Sequence, residues 1–543
     1  MKNRFSFSGL MFAGMALIAL FMSSCSSDLG YKAAIPSDAP VVLELDMQSL
    51  TLKSNVLSYK EQLADILESM DEPNEMILKF AEKLRKADNG GLNFKKPVYL
   101  FTTSDMDGIF LLTAVKRKQQ VIDLLLNMPL GVRVVEDEQE GVVWLEREGL
   151  RFGALTEEAF LLGVTEKHQL IEKMIRCESN FFGTKMGGVM ARHAGDITLM
   201  VNCPEMDEEV LEDIVFDVLK KVGIRAKDLP VSEDQLLAEI RKIQAVANIK
   251  FQKGQISFNL FSASDEKSPR MCKPISQDVI DKIPSRGLIA MLAIGIDGAQ
   301  VSKWIEDEVA KNSMDLDNES RMGLKLISSF VQSVNGTAAL SLEVNNWNKD
   351  PHVSAWLPIA KAKSEYLFDI LADRINAKLY LTGDDHYTAV SSKADYDYNR
   401  YSQRSELASH AASNLVYGYV DIRSLLDKYI ENKRRGASMD EDAFFNELAK
   451  FLGVIGYGEM KVPNYDEVSF ILTLQDDSRN ALDLLLANTF RLGVSYIQMK
   501  EAQRYSWDPV PYSVSEDEDY WDEWDMYDEA YPVAEELIDE YMW

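Results

Sequence analysis

Apolar positions fall into two rhythms along this chain. Leu10 to Met22 is almost wholly apolar. Beyond Val41 the apolar residues sort into short strand-like runs and longer stretches with three-and-four spacing, which mark helix faces. Val41-Val42-Leu43-Glu44-Leu45 ends at Asp46, and Leu288 to Ile296 ends at Asp297. Each strand-like run is preceded by the same tripeptide, Ile35-Pro36-Ser37 and Ile283-Pro284-Ser285, 248 residues apart. Behind each come a helical stretch, a long hairpin and another helix. Val98 to Phe101 turns through Asp105-Met106-Asp107-Gly108 into Ile109 to Val115, and Ala338 to Leu342 turns through 345–350 into Val353 to Leu357. Asp-Gly at a tip between β-branched and aromatic runs is a hairpin signal.

The plan recurs inside each half. Ile197 to Val201 precedes a helix carrying Val210, Leu211, Ile214, Val215, Val218 and Leu219, and Ile249 and Phe251 pair across Lys253-Gly254 with Ile256 and Phe258. Leu415 to Val420 precedes a helix with Leu425, Leu426, Tyr429 and Ile430, then a hairpin from Met460 to Leu474. Further strands near 132–164 decorate the first half. The order predicts an α+β fold. Two tandem related domains, 35–275 and 283–505, each hold mainly antiparallel sheet with helices packed on one face. Each divides further into two strand–helix–hairpin–helix units, four in all.

The N-terminus carries an address. Lys2 and Arg4 precede the short apolar run, and Ser23 and Ser24 lead into Cys25. The run is too short for a spanning helix and reads as a signal peptide over 1–24. Phe21-Met22-Ser23-Ser24-Cys25 resembles the bacterial lipobox. That resemblance implies cleavage before Cys25, lipid on its thiol, and a lipid-anchored linker over 25–34. Ser26 stands where aspartate would signal inner-membrane retention, so outer-membrane delivery is expected, with the leaflet open.

Charge narrows the partners. The 543 residues hold 58 Lys and Arg against 87 Asp and Glu, a net −29. Such a polyanion is repelled by phosphate backbones, which argues against nucleic acid. Besides Cys25 there are Cys177, Cys203 and Cys272, so one disulfide within the chain is open and zinc is not expected. The lipobox, the linker and Ala34-Ile35-Pro36-Ser37-Asp38-Ala39-Pro40-Val41-Val42 together resemble an uncharacterised Bacteroidota lipoprotein family, domain of unknown function 4836. The resemblance extends over most of the chain and implies localisation, not chemistry.

No nucleophile elbow, phosphate-binding glycine loop or His-Glu-x-x-His helix occurs, so no catalytic residue and no cofactor is assigned. Asp384-Asp385-His386 is the densest mixed cluster. It could hold a divalent cation, but beside Gly383 it reads better as a turn. Asp315-Leu316-Asp317-Asn318-Glu319 lacks the glycine and terminal glutamate of a calcium loop. Asp105 and Asp107 fit turn geometry.

Residues 506–543 form an acidic–aromatic tail. From 514 onward it holds thirteen acids and no Lys, Arg or His, interleaved with Trp521, Trp524, Tyr527 and Trp543. Those four aromatics are candidate anchors for an envelope protein or glycan. The leading function is therefore a non-enzymatic envelope binding or scaffold module, attached to the membrane through its N-terminal lipid. The alternatives are an envelope hydrolase using paired carboxylates on a glycan or peptide, and a low-affinity calcium-binding surface protein.

Overall fold

The computed structural model describes residues 30–61, 64, 90–127, 131–137, 139–176, 180–221, 223–225, 232–264, 270–283, 287–311, 318–344, 347, 351–365, 378–394, 406–434 and 439–506. Cys25, Cys177, Pro284, Ser285, Asp315, Asp317 and the tail aromatics Trp521, Trp524, Tyr527 and Trp543 lie outside them. Residues up to Ser495 make one compact unit, and Tyr496–Trp543 a second.

The first unit is built on antiparallel sheet. In chain order the strands are β1 (Val41–Leu45), β2 (Val98–Thr102), β3 (Gly108–Ala114), β4 (Arg133–Asp137), β5 (Val142–Arg147), β6 (Leu150–Leu155), β7 (Ala159–Thr165), β8 (Ile197–Asn202), β9 (Gln244–Gln252) and β10 (Gln255–Ser262). There follow β11 (Leu288–Asp297), β12 (Asn335–Glu343), β13 (His352–Leu357), β14 (Tyr380–Gly383), β15 (Thr388–Ser391), β16 (Val416–Val420), β17 (Ile455–Asn464) and β18 (Glu467–Leu474). Their pairings run β4-β5-β6-β7-β3-β2-β1-β8-β9-β10-β18-β17-β16-β11-β12-β13-β15-β14, antiparallel throughout. The stretches expected as separate domains therefore share one sheet, joined where β10 pairs with β18. Both strands close hairpins and would otherwise leave a row of unpaired backbone groups; pairing removes both edges.

Helices follow in chain order: α1 (Met47–Ser54), α2 (Lys118–Leu126), α3 (Gln169–Ile175), α4 (Lys185–Arg192), α5 (Glu208–Lys221), α6 (Glu233–Ile240), α7 (Gln277–Ile280), α8 (Gly298–Lys311), α9 (Asn318–Gln332), α10 (Glu406–Ala411), α11 (Ile422–Arg434), α12 (Met439–Leu452) and α13 (Ala481–Ser506). The aspartate after each opening strand starts its helix. Asp46 Oδ1 accepts from Ser49 N (2.9 Å), Asp297 Oδ1 from Gln300 N (3.2 Å) and Asp421 Oδ1 from Ser424 N (3.0 Å). Each satisfies an N-terminal N–H that the helix itself leaves free.

Helices cover both faces of the sheet, which corrects the expectation of one face. Val42, Phe101, Phe110 and Met200 pack with Ile171 and Met174 of α3 and Met186 and Met190 of α4. On the opposite face, Leu45 and Val98 meet Met47 of α1 and Val121 and Leu125 of α2, and Val41 and Val201 meet Leu211 and Val215 of α5. The cause is in the strands. Val41-Val42-Leu43 and Val98 to Phe101 are apolar on both sides of the pleat, so each side needs cover. No described helix is long and apolar enough to cross a membrane.

Candidate functional site

On the face that carries α1, α2, α5 and α13, the middle of the sheet is left open. Two registered rows of side chains cross it. Phe258, Phe470, Met460, Gly418, Leu292 and Leu340 lie opposite one another in turn. Two residues along the strands, Ile256, Leu472, Gly458, Val420, Ala290 and Leu342 form the second row. Directly opposed residues share a face, so both rows point the same way. Neither row carries a polar side chain.

The rows enclose a groove of about 890 Å³, with Ile422 at the start of α11 on its wall. Gly418, Gly458 and Ala290 give it depth, because they put little or nothing above the backbone. Phe258, Leu292, Leu340 and Phe470 are 39–49 % exposed, high values for large apolar side chains in mid-sheet. At about 4.8 Å per strand the rows extend roughly 24 Å.

The other face of β11, β12 and β16 packs Met291, Ala293, Ala339 and Tyr417 into a core, whereas that of β10, β18 and β17 is largely polar. Asn259 Nδ2 donates to Asn248 Oδ1 (2.8 Å), and Ser469 Oγ donates to Asn259 Oδ1 (2.8 Å). Glu459, buried, receives the Tyr417 hydroxyl (2.5 Å), contacts His410 Nδ1 (2.8 Å) and pairs with Lys461 (3.3 Å). Burial raises its carboxyl pKa, but the Tyr417 and His410 hydrogen bonds and the Lys461 charge together hold it below the usual range. Around the junction of β10 and β18, polar groups are thus internally satisfied while apolar ones meet solvent.

A second constellation sits at the far end of the sheet. Glu343 on β12 lies opposite His352 on β13, with Oε2 to Nδ1 at 3.3 Å, and His352 Nε2 is 2.8 Å from Ser391 Oγ on β15. The order Ser–His–Glu is that of a hydrolase triad. All three residues are only 1–3 % exposed, and Ser391 Oγ also accepts from Lys393 N (3.0 Å). Nucleophilic attack needs open space beside the hydroxyl, and here that space is filled. The three side chains act as a buried polar clamp across β12, β13 and β15.

The residues singled out in the sequence scatter. Asp384 Oδ1 accepts from His386 N (2.7 Å) and Tyr387 N (3.2 Å), the hydrogen bonding of a turn between β14 and β15. Asp385 and His386 are exposed on that turn, and no group of three metal-ligating residues occurs among the described residues. Asp105 and Asp107 both pair with Lys167, and Asp105's carboxyl is lowered to about 2, chiefly by the Lys167 hydrogen bond. Cys203 is buried and Cys272 half-buried, both as free thiols raised in pKa by burial. The groove and the Glu343–His352–Ser391 clamp are absent from the sequence reading. The uninterrupted run Leu288 to Ile296 is the nearest signal of the groove, since a strand apolar on both sides needs a second apolar neighbour, and nothing local signals the clamp.

No family model and no curated protein matches the chain. Among solved structures it is similar to "Structure of crystal form IV of TP0453", at 9 % identity and a TM-score of 0.27, covering 44 % of this chain and 81 % of that one. A second is "Structure of crystal form I of TP0453", at 10 % identity and a TM-score of 0.26, covering 49 % and 88 %.

Proposed function

We propose that this chain is a lipid-anchored cell-envelope protein whose body is a non-enzymatic binding module for a lipid hydrocarbon chain. The two apolar rows across β10, β18, β17, β16, β11 and β12 carry that reading. Their chemistry selects the occupant. A peptide strand laid there would bury N–H and C=O groups against side chains that offer no partner, at a cost of roughly 1–3 kcal/mol each. A hydrocarbon chain has nothing to satisfy. The volume suits a small-molecule site, typically about 300–1,000 Å³. The roughly 24 Å length exceeds one leaflet of a bilayer core about 30 Å thick, so one acyl chain fits lengthwise.

The expected lipid on Cys25 would keep the groove near its ligand. The strand order supports a duplicated origin, because β3-β2-β1-β8-β9-β10 has the same plan as β13-β12-β11-β16-β17-β18. The tail aromatics Trp521, Trp524, Tyr527 and Trp543 remain the candidate contacts for an envelope protein or glycan.

The test uses the mature chain from Cys25 and cis-parinaric acid, a fatty acid that fluoresces when shielded from water. Saturable binding is expected, and Leu292→Glu with Leu340→Lys, an opposite-charge pair across neighbouring strands, should abolish it without lowering the melting temperature, since both side chains are already half exposed. Absence of saturable binding, or binding that survives the double substitution, overturns the reading. If light scattering shows wild-type dimers that the double substitution makes monomeric, the groove holds a second copy instead. Labelling cells with an alkyne-tagged palmitate tests the anchor, which should vanish with Cys25→Ser.

A further inference from the structure

The hairpin of α8 and α9 leaves a second set of large apolar side chains in solvent. An exposed helix ordinarily turns apolar residues inward and polar ones to water. Here a polar cluster also joins the two helices. Ser302 Oγ and Ser328 Oγ are 2.8 Å apart, and Ser328 Oγ also contacts Glu306 Oε1 at 3.1 Å. Both serines are buried at 2–3 % exposure, and no large apolar side chain is buried among the described residues of either helix. Val301, Ile305, Val309, Leu324, Phe330 and Val331 are partly buried, but four large apolar residues face solvent. Trp304 is 42 % exposed, Met322 68 %, Leu326 65 % and Ile327 51 %.

The attachment of this hairpin is narrow. α8 leaves β11 at Asp297 and α9 returns to β12 at Asn335, and these two residues are register partners. The strands that carry its feet are the ones whose Leu292, Leu340 and Leu342 line the groove.

The spacings on the two sides match. Met322 stands ten residues up α9 from Gln332, roughly 15 Å at 1.5 Å per residue. Leu340 stands five residues up β12 from Asn335, roughly 17 Å at 3.4 Å per residue. Leu326 is six residues up, about 9 Å. Ala338 is three residues up, about 10 Å, and shares its level with Ile294. A rotation about the shared foot would bring Met322 over Leu340 and Leu292, and Leu326 over Ala338 and Ile294.

We propose that the α8–α9 hairpin is the missing wall of the lipid site, a hinged flap that lays Met322 and Leu326 on the bound hydrocarbon chain. This rests on the groove reading above and extends it. In the open arrangement Met322 and Leu326 on the hairpin and Leu292 and Leu340 on the sheet face water, while Ala338 is already buried; closing buries the exposed four, which is favourable by about 25 cal/mol for every Å² removed. The Ser302–Ser328 seam stays intact, so the two helices move as one body.

Two measurements test it on the mature chain. The first is a cross-link. Met322→Cys with Leu340→Cys, in a background with Cys272→Ser, should form an intramolecular disulfide under mild oxidation, read by mass and by non-reducing gel. Met322→Cys with Leu199→Cys serves as a distant control. Failure of the first pair to link, or linking only between molecules, overturns the flap.

The second is the dissociation rate of cis-parinaric acid. Met322→Glu with Leu326→Lys, a favourable i,i+4 pair, should speed release about tenfold while leaving the melting temperature in place, both positions being exposed already. Unchanged release with binding intact overturns the flap and leaves the groove reading standing. A disulfide that forms in a protein with no saturable fatty-acid binding supports the flap and sinks the groove's ligand, so the two readings fail separately.

Discussion

Phe258 on β10 stands directly opposite Phe470 on β18, with ring centroids 6.1 Å apart and planes at 45°. This pair lies on the seam that makes one sheet of two halves. Cut between 275 and 276, each fragment would carry an open edge strand with an exposed phenylalanine, a template for pairing with another chain. Expressed alone, residues 25–275 and 276–543 should each self-associate. Co-expressed, they should copurify as a one-to-one complex. Two soluble monomers that ignore each other would contradict the seam's role.

Glu44 points into the first half's core at 8 % exposure, opposite Tyr99. Burial lifts its carboxyl above the usual range, with the nearby Lys32 charge working against that lift. A carboxyl with a raised folded-state pKa binds more protons when folded than when unfolded. Its contribution is therefore favourable at low pH and is lost as pH rises from its unfolded value through the folded one. Glu44→Gln mimics the protonated form. The substitution should be near neutral for melting temperature at pH 4 and stabilising at pH 8. A variant that melts lower than wild type at pH 8 would show that the pairing with Lys32 outweighs the burial.

How much of this was legible beforehand depended on whether the signal was local. Strands and hairpins were, because Val98 to Phe101 and Ile249 to Phe258 announce themselves by side-chain chemistry within a few residues. Asp46 and Asp297 also stand out in the sequence as the ends of strand-like runs, but only the structure shows them capping helices. The joining of β10 to β18 was not legible, since the partners in Ile256↔Leu472 and Phe258↔Phe470 lie 216 and 212 residues apart, with no local cue. Face was equally hidden. Val210 to Leu219 reads as one amphipathic helix, but α5 buries Leu211 and Val215 while Ile214 and Val218 stay 37 % and 53 % exposed. Periodicity shows that a stripe exists; only the sheet decides which residues of it are covered.

The Asp384 turn gives a sharp negative expectation for calcium. Its Oδ1 is occupied by two backbone N–H groups, from His386 and Tyr387. Asp384→Ala should cost about 1 kcal/mol in urea unfolding, the usual worth of such hydrogen bonds. Titration calorimetry with calcium should give the same trace for wild type and variant. A heat of binding that disappears with Asp384→Ala would instead make this turn a metal site.

Gly418 offers a way to close the groove without harming the fold. A Cβ built on it meets Met460 Cβ at 3.4 Å and Met460 Cε at 3.6 Å, ordinary contact distances. Valine there also suits a strand better than glycine, which has more backbone freedom to lose on folding. Gly418→Val should therefore keep or raise the melting temperature while filling the floor between Met460 and Leu292. Fatty-acid affinity should fall at least about tenfold, or roughly 1.4 kcal/mol. Gly188→Ala on α4, where a Cβ meets only Arg192 Nη1 at 3.9 Å, is the control that leaves binding alone. Full affinity in a stable Gly418→Val protein would mean that the hydrocarbon chain does not lie on this floor. A loss confined to that variant would place the ligand against the backbone of β16, between Met460 on β17 and Leu292 on β11.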